Sequence, residues 1–266
     1  MQVSRSSYYE WRSCDKWPDT EEIMLKNKIQ ILFEGSRKTY GSRRLVKALK
    51  AEGYNLGRFK VRRLMEQLKL QVRYPKRFRV TTDSDHSLEV APNRLNRQFN
   101  PTTPNEVWTT DISYVWTLEG WMYVAVVIDL YSRQVVGWAI DEHMKTSLCI
   151  KALQMAYWRK KPPKGLIHHS DRGSQYASHR YREELKRMEM IQSMSRRGNC
   201  WDNSPTERFF RSLKSEHLNY ERFSSKEMAK LSILDYIAFY NGRRIHSTLG
   251  YKSPIAFERE FYCKTA

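Results

Sequence analysis

Long hydrophobic runs are missing from this chain of 266 residues. Because a membrane-spanning helix needs about 20 consecutive apolar residues, their absence argues against a membrane protein. The amino terminus, Met1-Gln2-Val3, also lacks the apolar stretch of a secretory signal. We therefore expect a cytoplasmic protein with no membrane partner.

Cysteine is scarce as well. The four cysteines (Cys14, Cys149, Cys200 and Cys263) are scattered, and no two form a C-x-x-C pair. This pattern argues against a cysteine zinc site and provides no disulfide framework. The thiols are therefore interpreted as packing residues or bystanders.

Acidic residues are few beside basic ones, at 29 Asp and Glu against 47 Lys and Arg, which gives a formal net charge of +18. An excess of this size costs self-repulsion in the compact state and points to an acidic partner. Nucleic acid is the leading candidate, because neutralising phosphates releases condensed counterions. A membrane surface is the weaker alternative. The 40% hydrophobic and 13% aromatic content supports a folded core.

Residues 1–70 are predicted to form a helical, helix-turn-helix-like module. Helices are expected from Asp19 or Thr20, from Ser42, and after a turn at Gly53–Gly57. The third of these helices is expected to hold an apolar set: Phe59, Val61, Leu64, Met65 and Leu68. It displays four cations as candidate DNA contacts: Arg58, Lys60, Arg62 and Arg63. The alternative is a small helical bundle with a solvated basic face.

Residues 71–100 lose the helical period and contain four prolines, so they are interpreted as a linker. Residues 101–266 alternate between the two kinds of pattern. Strands are predicted at 106–116, 121–129, 135–141, 166–170 and 191–194, and helices at 146–159, 178–190, 207–217 and 226–241, the last in the chain. Three antiparallel strands followed by alternating helix and strand indicate a mixed α/β sheet flanked by helices.

Three acidic residues stand out within this layout: Asp111, Asp171 and Glu207. Asp111 lies inside the strand Trp108–Val115, where the two-residue period puts it on one face with Thr109 and Ser113. Asp171 ends a later strand and precedes a turn glycine, a place where sheet proteins commonly position active sites.

Each acid also has an ordinary structural explanation. Asp111 could pair with a nearby cation, and Asp171 could simply form a turn with Gly173. Glu207 has the strongest such explanation, because Ser204-Pro-Thr-Glu207 matches a capping box with Pro in the first turn.

The spacing of the three acids changes this interpretation. Asp171 follows Asp111 by 60 positions, and since 207 − 171 = 36, 35 residues separate Asp171 from Glu207. This spacing resembles the DD(35)E signature of retroviral-integrase-like recombinases. The chain resembles the second-reading-frame catalytic protein of the insertion sequence family three transposases. The similar segments are Tyr40–Arg44, Trp108–Tyr114, Asp129–Arg133, Val136–Trp138, His169–Tyr176, Ser193–Asn203, Glu207–Phe210, Leu213–Glu216 and Tyr240–Gly250.

The resemblance implies a ribonuclease H-like core in which Asp111, Asp171 and Glu207 bind two Mg²⁺ or Mn²⁺ ions. Hard oxygen ligands suit these ions, which also offset the repulsion among clustered carboxylates. Water would release a 3′-hydroxyl at the element's end, and that hydroxyl would attack a second phosphodiester, with no covalent protein intermediate. The same resemblance makes Asp129 structural.

Several basic residues near the acids are further candidates. Arg211 and Lys214 fall four and seven positions after Glu207, on the same helical face, and are expected to contact DNA rather than only solvent. Arg196 and Arg197 are expected in a mobile basic DNA-binding loop.

Other polar residues carry weaker signals. The adjacent His168 and His169 must point to opposite faces of a strand, so satisfied core positions are favoured over a role at the metals. A final set admits both DNA contact and structural hydrogen bonding: Asn241, Arg243, Arg244 and His246.

The resemblance also implies partners. We expect DNA, a homo-oligomer on DNA, and an upstream-frame helix-turn-helix protein that is separate or fused by frameshifting. Retroviral integrases carry an amino-terminal His/Cys zinc module, but the first 100 residues here hold only His86 and Cys14, so no zinc is expected. Two alternatives are a nuclease that never joins strands and a catalytically inert DNA-binding regulator.

Overall fold

A computed structural model describes residues 4–13, 20–73, 88–197 and 199–265. The chain divides into two compact units, 1–72 and 73–266, and each is described by itself. Residues 74–87 of the predicted linker lie outside the described residues, and the predicted domain boundaries at 70 and 100 stay a prediction.

The first unit is helical, with α1 (Arg5–Ser13), α2 (Thr20–Gly35), α3 (Ser42–Ala51) and α4 (Arg58–Gln67). The last three are the predicted helices, and α1 was not expected. Their apolar faces meet in a small core: Leu25, Ile29, Phe33, Leu45, Leu49, Val61, Leu64 and Met65. One apolar assignment is wrong, because Phe59 is 84% exposed on the outer face of α4.

The second unit is built on a mixed sheet. Its strands are β1 (Val107–Thr117), β2 (Gly120–Asp129), β3 (Val135–Asp141), β4 (Ile167–Ser170) and β5 (Ile191–Met194). In the described part of the chain they lie in the order β3-β2-β1-β4-β5. The first three form the predicted antiparallel meander, and β4 and β5 add to it in parallel.

Helices cover both faces of this sheet. Together with a short α6 (Ser174–Ala177), α5 (Thr146–Lys160) and α7 (His179–Arg187) bury a core that includes Trp108, Ala125 and Val127. On the other face, α8 (Ser204–Glu216) and α9 (Lys226–Gly242) pack on Val124 and Val126. The alternation of apolar residues along β2 therefore supplies both cores.

Two segments differ from expectation. Residues 88–100 carry no helix or strand, yet Leu95 is buried with Val107 and Leu130. This part of the predicted linker therefore packs on β1 and on the turn after β2, within the second unit. The chain also continues beyond α9 into α10 (Pro254–Thr265), so the prediction that α9 is the last helix is wrong. Glu258 of α10 is buried against Lys160, which fixes that helix to α5.

No helix in the described ranges combines the length and the apolarity that crossing a membrane requires.

Asp129 occupies the buried turn after β2, where its carboxylate accepts hydrogen bonds from the Asn105 and Ser132 amides at 2.9 Å and from the Ser132 hydroxyl at 2.6 Å. These bonds close the turn, so Asp129 has a structural role in this fold.

Candidate active site

The pairing of β1 with β4 explains why Asp111 and Asp171 are 60 residues apart. In this parallel pair Val107 lies opposite Ile167 and Thr109 lies opposite His169, an offset of 60. Asp171 follows the last residue of β4, so the same offset aligns it with Asp111 just beyond the paired stretch. Adjacent strands lie about 4.8 Å apart. The spacing in the sequence is therefore the register of the sheet.

Asp111 lies on the face of β1 that carries α8. Two residues earlier on the same face, the Thr109 hydroxyl lies 2.7 Å from that of Thr206 in α8, whereas Ile112 packs into the opposite core. The predicted two-residue alternation is confirmed. One Asp111 oxygen accepts a hydrogen bond from the Ile112 amide at 2.7 Å, which fixes the orientation of the carboxylate.

Asp171 is held by the turn that the sequence predicted. Its Oδ1 accepts a hydrogen bond from the Gly173 amide at 2.9 Å. Substituting Gly173 would crowd this carboxylate, since a Cβ there would lie 3.1 Å from the same oxygen. The turn therefore accounts for the glycine, and it also orients the acid.

Glu207 does not form the capping box that is its alternative structural explanation. Asn203 is the N-cap of α8 and no side chain caps the helix, so Glu207 stands at the fourth helical position instead of the third. The side-chain Nδ2 of Asn203 instead donates a hydrogen bond to the Thr110 carbonyl at 3.0 Å, next to Asp111 on β1. With the Thr206–Thr109 contact, this bond docks the first turn of α8 on the strand of Asp111.

The three carboxylates interact electrostatically. Burial raises the pKa of Asp111 well above its ordinary value, and the charges of Asp171 and Glu207 raise it further. Burial, followed by the charge of Asp171, also raises the pKa of Glu207. Like-charged carboxylates that disfavour one another's ionisation are close neighbours. Within the described ranges, no three His, Cys, Asp or Glu side chains converge closely enough to hold a metal ion as they stand.

Two cations of α8 face this acidic group, as their spacing predicts. The charge of Arg211 lowers the pKa of Glu207, and that of Lys214 lowers the pKa of Asp111. Lys214 is itself half-buried, with its Nζ 4.5 Å from the centre of the Tyr114 ring. Both cations lie beside the acids, and their contact with DNA stays a prediction.

The predicted basic loop contains an organised ion pair. Asp202 is fully buried, and Arg196 grips it through Nε at 2.9 Å, Nη2 at 2.8 Å and its backbone amide at 3.0 Å. Arg97 adds a further bond at 2.8 Å. These bonds hold the pKa of Asp202 well below its usual range, with Arg196 the main cause. Arg197 is exposed. Asp202 thus holds Arg196 in place. DNA contact by Arg196 or Arg197 stays a prediction.

His168 and His169 are both buried, and their ring contacts differ. His168 Nε2 lies 3.2 Å from the Tyr181 hydroxyl, and the His169 ring nitrogens lie 2.9 and 3.2 Å from the hydroxyls of Ser193 and Ser195. Burial lowers the pKa of His168 to about 3 and that of His169 to about 4. Both rings therefore stay neutral and belong to the core.

The structure also assigns roles to residues that the sequence left open. Asn241 exchanges hydrogen bonds of 2.9 Å with the amide and carbonyl of Val135, which fastens α9 to β3. Arg244 is buried and grips Glu216, the last residue of α8, at 2.6 and 2.7 Å. Both side chains serve the scaffold. The structural role of Arg244 depends on Glu216, a buried acid 28 residues earlier whose pairing with Arg244 was not predicted.

In the first unit, all four predicted DNA-contacting cations of α4 are exposed. They are Arg58, Lys60, Arg62 and Arg63. Arg62 pairs with Glu66 at 3.0 Å, and Arg58 lies 3.5 Å from the Ser42 hydroxyl. The outer face of this helix is therefore basic.

Comparison with known families gives matches in three segments of the chain. Residues 19–78 match an HTH-like domain, and residues 101–200 and 188–254 match integrase core domains. The chain also resembles the fold of a simian T-cell lymphotropic virus intasome chain, at 17% identity and a TM-score of 0.53. That match covers 80% of this chain and 69% of the viral chain.

Two curated relatives extend over nearly the whole chain. An insertion element IS600 protein of 31 kDa from Shigella sonnei is 45% identical over 98% of this chain and 96% of its own length. The transposase InsF for insertion sequence IS3A from Escherichia coli K12 is 38% identical over 98% of this chain and 92% of its own length. The chain belongs to the IS3 family of transposases and is a DDE-type polynucleotidyl transferase with a ribonuclease H-like integrase core.

Proposed function

We propose that Asp111, Asp171 and Glu207 are the reaction centre with which this transposase cuts and joins DNA at the ends of its insertion sequence. The observation that carries the proposal is that the pairing of β1 with β4 and the docking of α8 on β1 bring the three carboxylates together, so that the charges of Asp171 and Glu207 raise the pKa of Asp111. Their separate ordinary explanations do not account for this convergence, since Glu207 forms no capping box.

The donor set fits two Mg²⁺ or Mn²⁺ ions. Three carboxylates offer hard oxygen atoms only, and bound cations offset the repulsion that raises the pKa of Asp111. In the described structure the three carboxylates are too far apart to bind one ion together, so their rotamers must change when ions bind. When bound, such ions supply activation of the attacking oxygen and charge stabilisation of the leaving oxygen.

The chain's own residues orient the reacting strand. The Ile112 and Gly173 amides fix one oxygen each of Asp111 and Asp171. Lys214 and Arg211 place positive charge beside the acids, where a phosphodiester backbone approaches. Water is the first nucleophile and releases a 3′-hydroxyl, which then attacks a second phosphodiester. The side chains position both reactions, and no protein atom becomes covalently attached to DNA.

We assign end recognition to the first unit, with α4 as the helix that contacts DNA. Its exposed cations suit phosphates or base edges in the major groove. A homo-oligomer on DNA and an upstream-frame helix-turn-helix protein, separate or fused, complete the proposed assembly. The relatives are bacterial, so the proposed site of action is DNA in the cytoplasm.

Glu207→Gln tests the reaction centre on a duplex that carries the element's end. The amide keeps the size and helical position of the side chain but loses its charge, so we expect joined products to fall at least 100-fold, the scale of losing one electrostatic contribution to catalysis. Glu227→Gln, an exposed glutamate near the start of α9, is the matched control. Unchanged joining by Glu207→Gln would refute the assignment. Cleavage without joining by the wild type would favour a nuclease, and binding without either reaction a regulator.

A further inference from the structure

The hairpin of β1 and β2 projects past the edge of the sheet at which the acids gather. The pairing of β1 with β4 ends where Thr109 faces His169, but β1 continues to Thr117. Its last residues therefore extend beyond the carboxyl end of β4, on the side of Asp111 and Asp171. Along β1, the end of this hairpin therefore lies about 20 Å beyond Asp111.

One face of the projecting hairpin carries three neighbouring aromatic rings, which we call the aromatic hairpin face: Tyr114, Trp116 and Trp121. The Trp121 ring centre lies 5.1 Å from that of Tyr114 and 4.8 Å from that of Trp116, with edge-to-face geometry in both pairs. Trp116 is 54% exposed and Trp121 is 46% exposed. Large aromatic surface is thus presented to solvent as one contiguous group.

The hairpin is anchored through its opposite face. Val115 and Met122 pack with the core beneath α8 and α9, and the Leu118 amide donates to the Phe223 carbonyl at 3.0 Å. The exposed tryptophan surface is therefore not needed to hold the hairpin in place. A cluster of aromatic rings left at the surface beside a reaction centre is a candidate for binding.

Lys214 connects this face to the acids. Tyr114 stands on the face of β1 opposite Asp111, and among the described residues no strand pairs with this edge of β1 beyond the end of β4. Lys214 bridges the two faces there, because it interacts with both the Tyr114 ring and the charge of Asp111. Strand geometry puts Tyr114 about 10 Å and Trp116 about 17 Å from Asp111 along β1. At the duplex rise of about 3.4 Å per nucleotide, that distance corresponds to at most about five nucleotides, and to fewer in a more extended single strand.

We propose that the aromatic hairpin face binds unpaired nucleobases of the DNA strand whose phosphate lies at the acids. The location of that strand rests on the proposed reaction centre. Every base offers a ring face for stacking on an aromatic side chain, but in a duplex those faces are covered by neighbouring base pairs. The face therefore selects bases that have left the double helix. Lys214 favours a polyanionic strand as the occupant, and the one acid at the hairpin turn, Glu119, accepts a hydrogen bond from the Lys226 amide at 2.8 Å.

Photocrosslinking locates the bases directly. The full chain is bound, without divalent ions, to a duplex that carries a short single-stranded overhang with 5-iodouracil at one position at a time. We expect crosslinks within residues 114–121 for overhang positions within about five nucleotides of the junction, and none there for the same base in a fully paired duplex. Crosslinks that avoid residues 114–121 at every position would overturn the proposal.

Affinity supplies the second measurement. Trp116→Leu and Trp121→Leu keep apolar bulk but remove ring faces, so each should weaken binding of overhang DNA about 5- to 150-fold and leave blunt duplex binding within about twofold. Trp116→Phe should retain most of the affinity. Trp158→Leu removes an exposed tryptophan of α5 and is the matched control. Equal losses on overhang and blunt DNA, or a change of oligomeric state in place of affinity, would refute base binding.

These outcomes separate this proposal from the proposed reaction centre. Glu207→Gln removes a carboxylate of that centre but leaves the aromatic hairpin face intact. If it abolishes joining while no base crosslinks to residues 114–121, the reaction centre stands and the aromatic site fails. If the crosslinks form but joining survives in Glu207→Gln, the reaction centre fails instead.

Discussion

The two ends of α8 treat buried charge in opposite ways. At its last residue, Glu216 meets Arg244 at 2.6 and 2.7 Å and the Tyr236 hydroxyl at 2.8 Å, so the acid is paired and satisfied. In its first turns, Glu207 joins Asp111 and Asp171: the charges of Asp171 and Glu207 raise the pKa of Asp111, and the charge of Asp171 raises that of Glu207. One end fastens the helix to the scaffold, and the other brings a carboxylate to its like-charged neighbours.

This contrast separates structural from functional charge. Although burial opposes it, Glu216 raises the pKa of Arg244 well above its ordinary value, so this pair stays ionised. The acids of the other end are destabilising as long as nothing neutralises them. Because the Glu216–Arg244 pair anchors the last turn of α8, the first turns can hold Glu207 beside Asp111 and Asp171 despite their repulsion. A site for divalent cations requires such a group of acids.

The largest expected effect comes from breaking the paired end. Arg244→Ala leaves Glu216 buried without its cation, so the free energy of unfolding should fall by about 3–5 kcal/mol. Urea unfolding measures the change, with Arg243→Ala, an exposed neighbour, as the control. Equal losses in the two variants would mean that the Glu216–Arg244 pair does not anchor α8.

A smaller loss is expected at Asp202, which is buried while its partner Arg196 is half exposed. Asp202→Asn should lower the free energy of unfolding at neutral pH by about 1–2 kcal/mol, because charge-assisted hydrogen bonds are lost. The folded-state pKa of Asp202 lies below the unfolded value, so its contribution is present above about pH 4 and disappears as the pH falls through the folded-state pKa. Unfolding measured from neutral to acid pH should show the gap between wild type and variant closing. A gap that is constant with pH would contradict this origin.

The smallest expected effect has the opposite sign. The raised pKa of Asp111 means that this buried acid destabilises the fold at neutral pH, which lies above its ordinary pKa in the unfolded chain. In a chelator, Asp111→Asn should therefore stabilise the protein by about 1 kcal/mol, or raise its Tm by about 2–4 °C. Strand transfer by the same variant should be lost. Thermal unfolding in the chelator checks the first result, and Asp235→Asn, at an exposed aspartate of α9, is the control. A Tm of Asp111→Asn below that of the control would contradict the claim that the Asp111 charge destabilises the fold.

Much of the catalytic unit could be predicted from the sequence because its signals are local. The strands at 135–141 and 191–194 were predicted to the residue, the first because its β-branched and aromatic residues follow a clear turn. The distance of 60 residues between Asp111 and Asp171 turned out to be the register of β1 and β4, a long-range fact that a short parallel pairing makes visible in the sequence.

The missed features depend on partners that are distant in sequence. Glu207 fitted a capping box, but Asn203 is drawn to the Thr110 carbonyl of β1, and the helix begins one residue earlier relative to Glu207 than the motif requires. Arg196 was expected in a mobile loop, whereas buried Asp202 fixes it. Phe59 was assigned to a core by its period, but α4 turns that side chain outward among cations. Local patterns do not report such choices.

The central claim is that three acids from separate elements bind divalent cations as one site. The most direct test is the shift in Tm on adding Mn²⁺ to the full chain, compared among wild type, Asp111→Asn, Asp171→Asn and Glu207→Gln. Because a ligand that binds only the folded state stabilises it, Mn²⁺ should raise the Tm of the wild type, and each variant should lose most of that rise. If all three variants respond to Mn²⁺ as the wild type does, the acids are not the cation site.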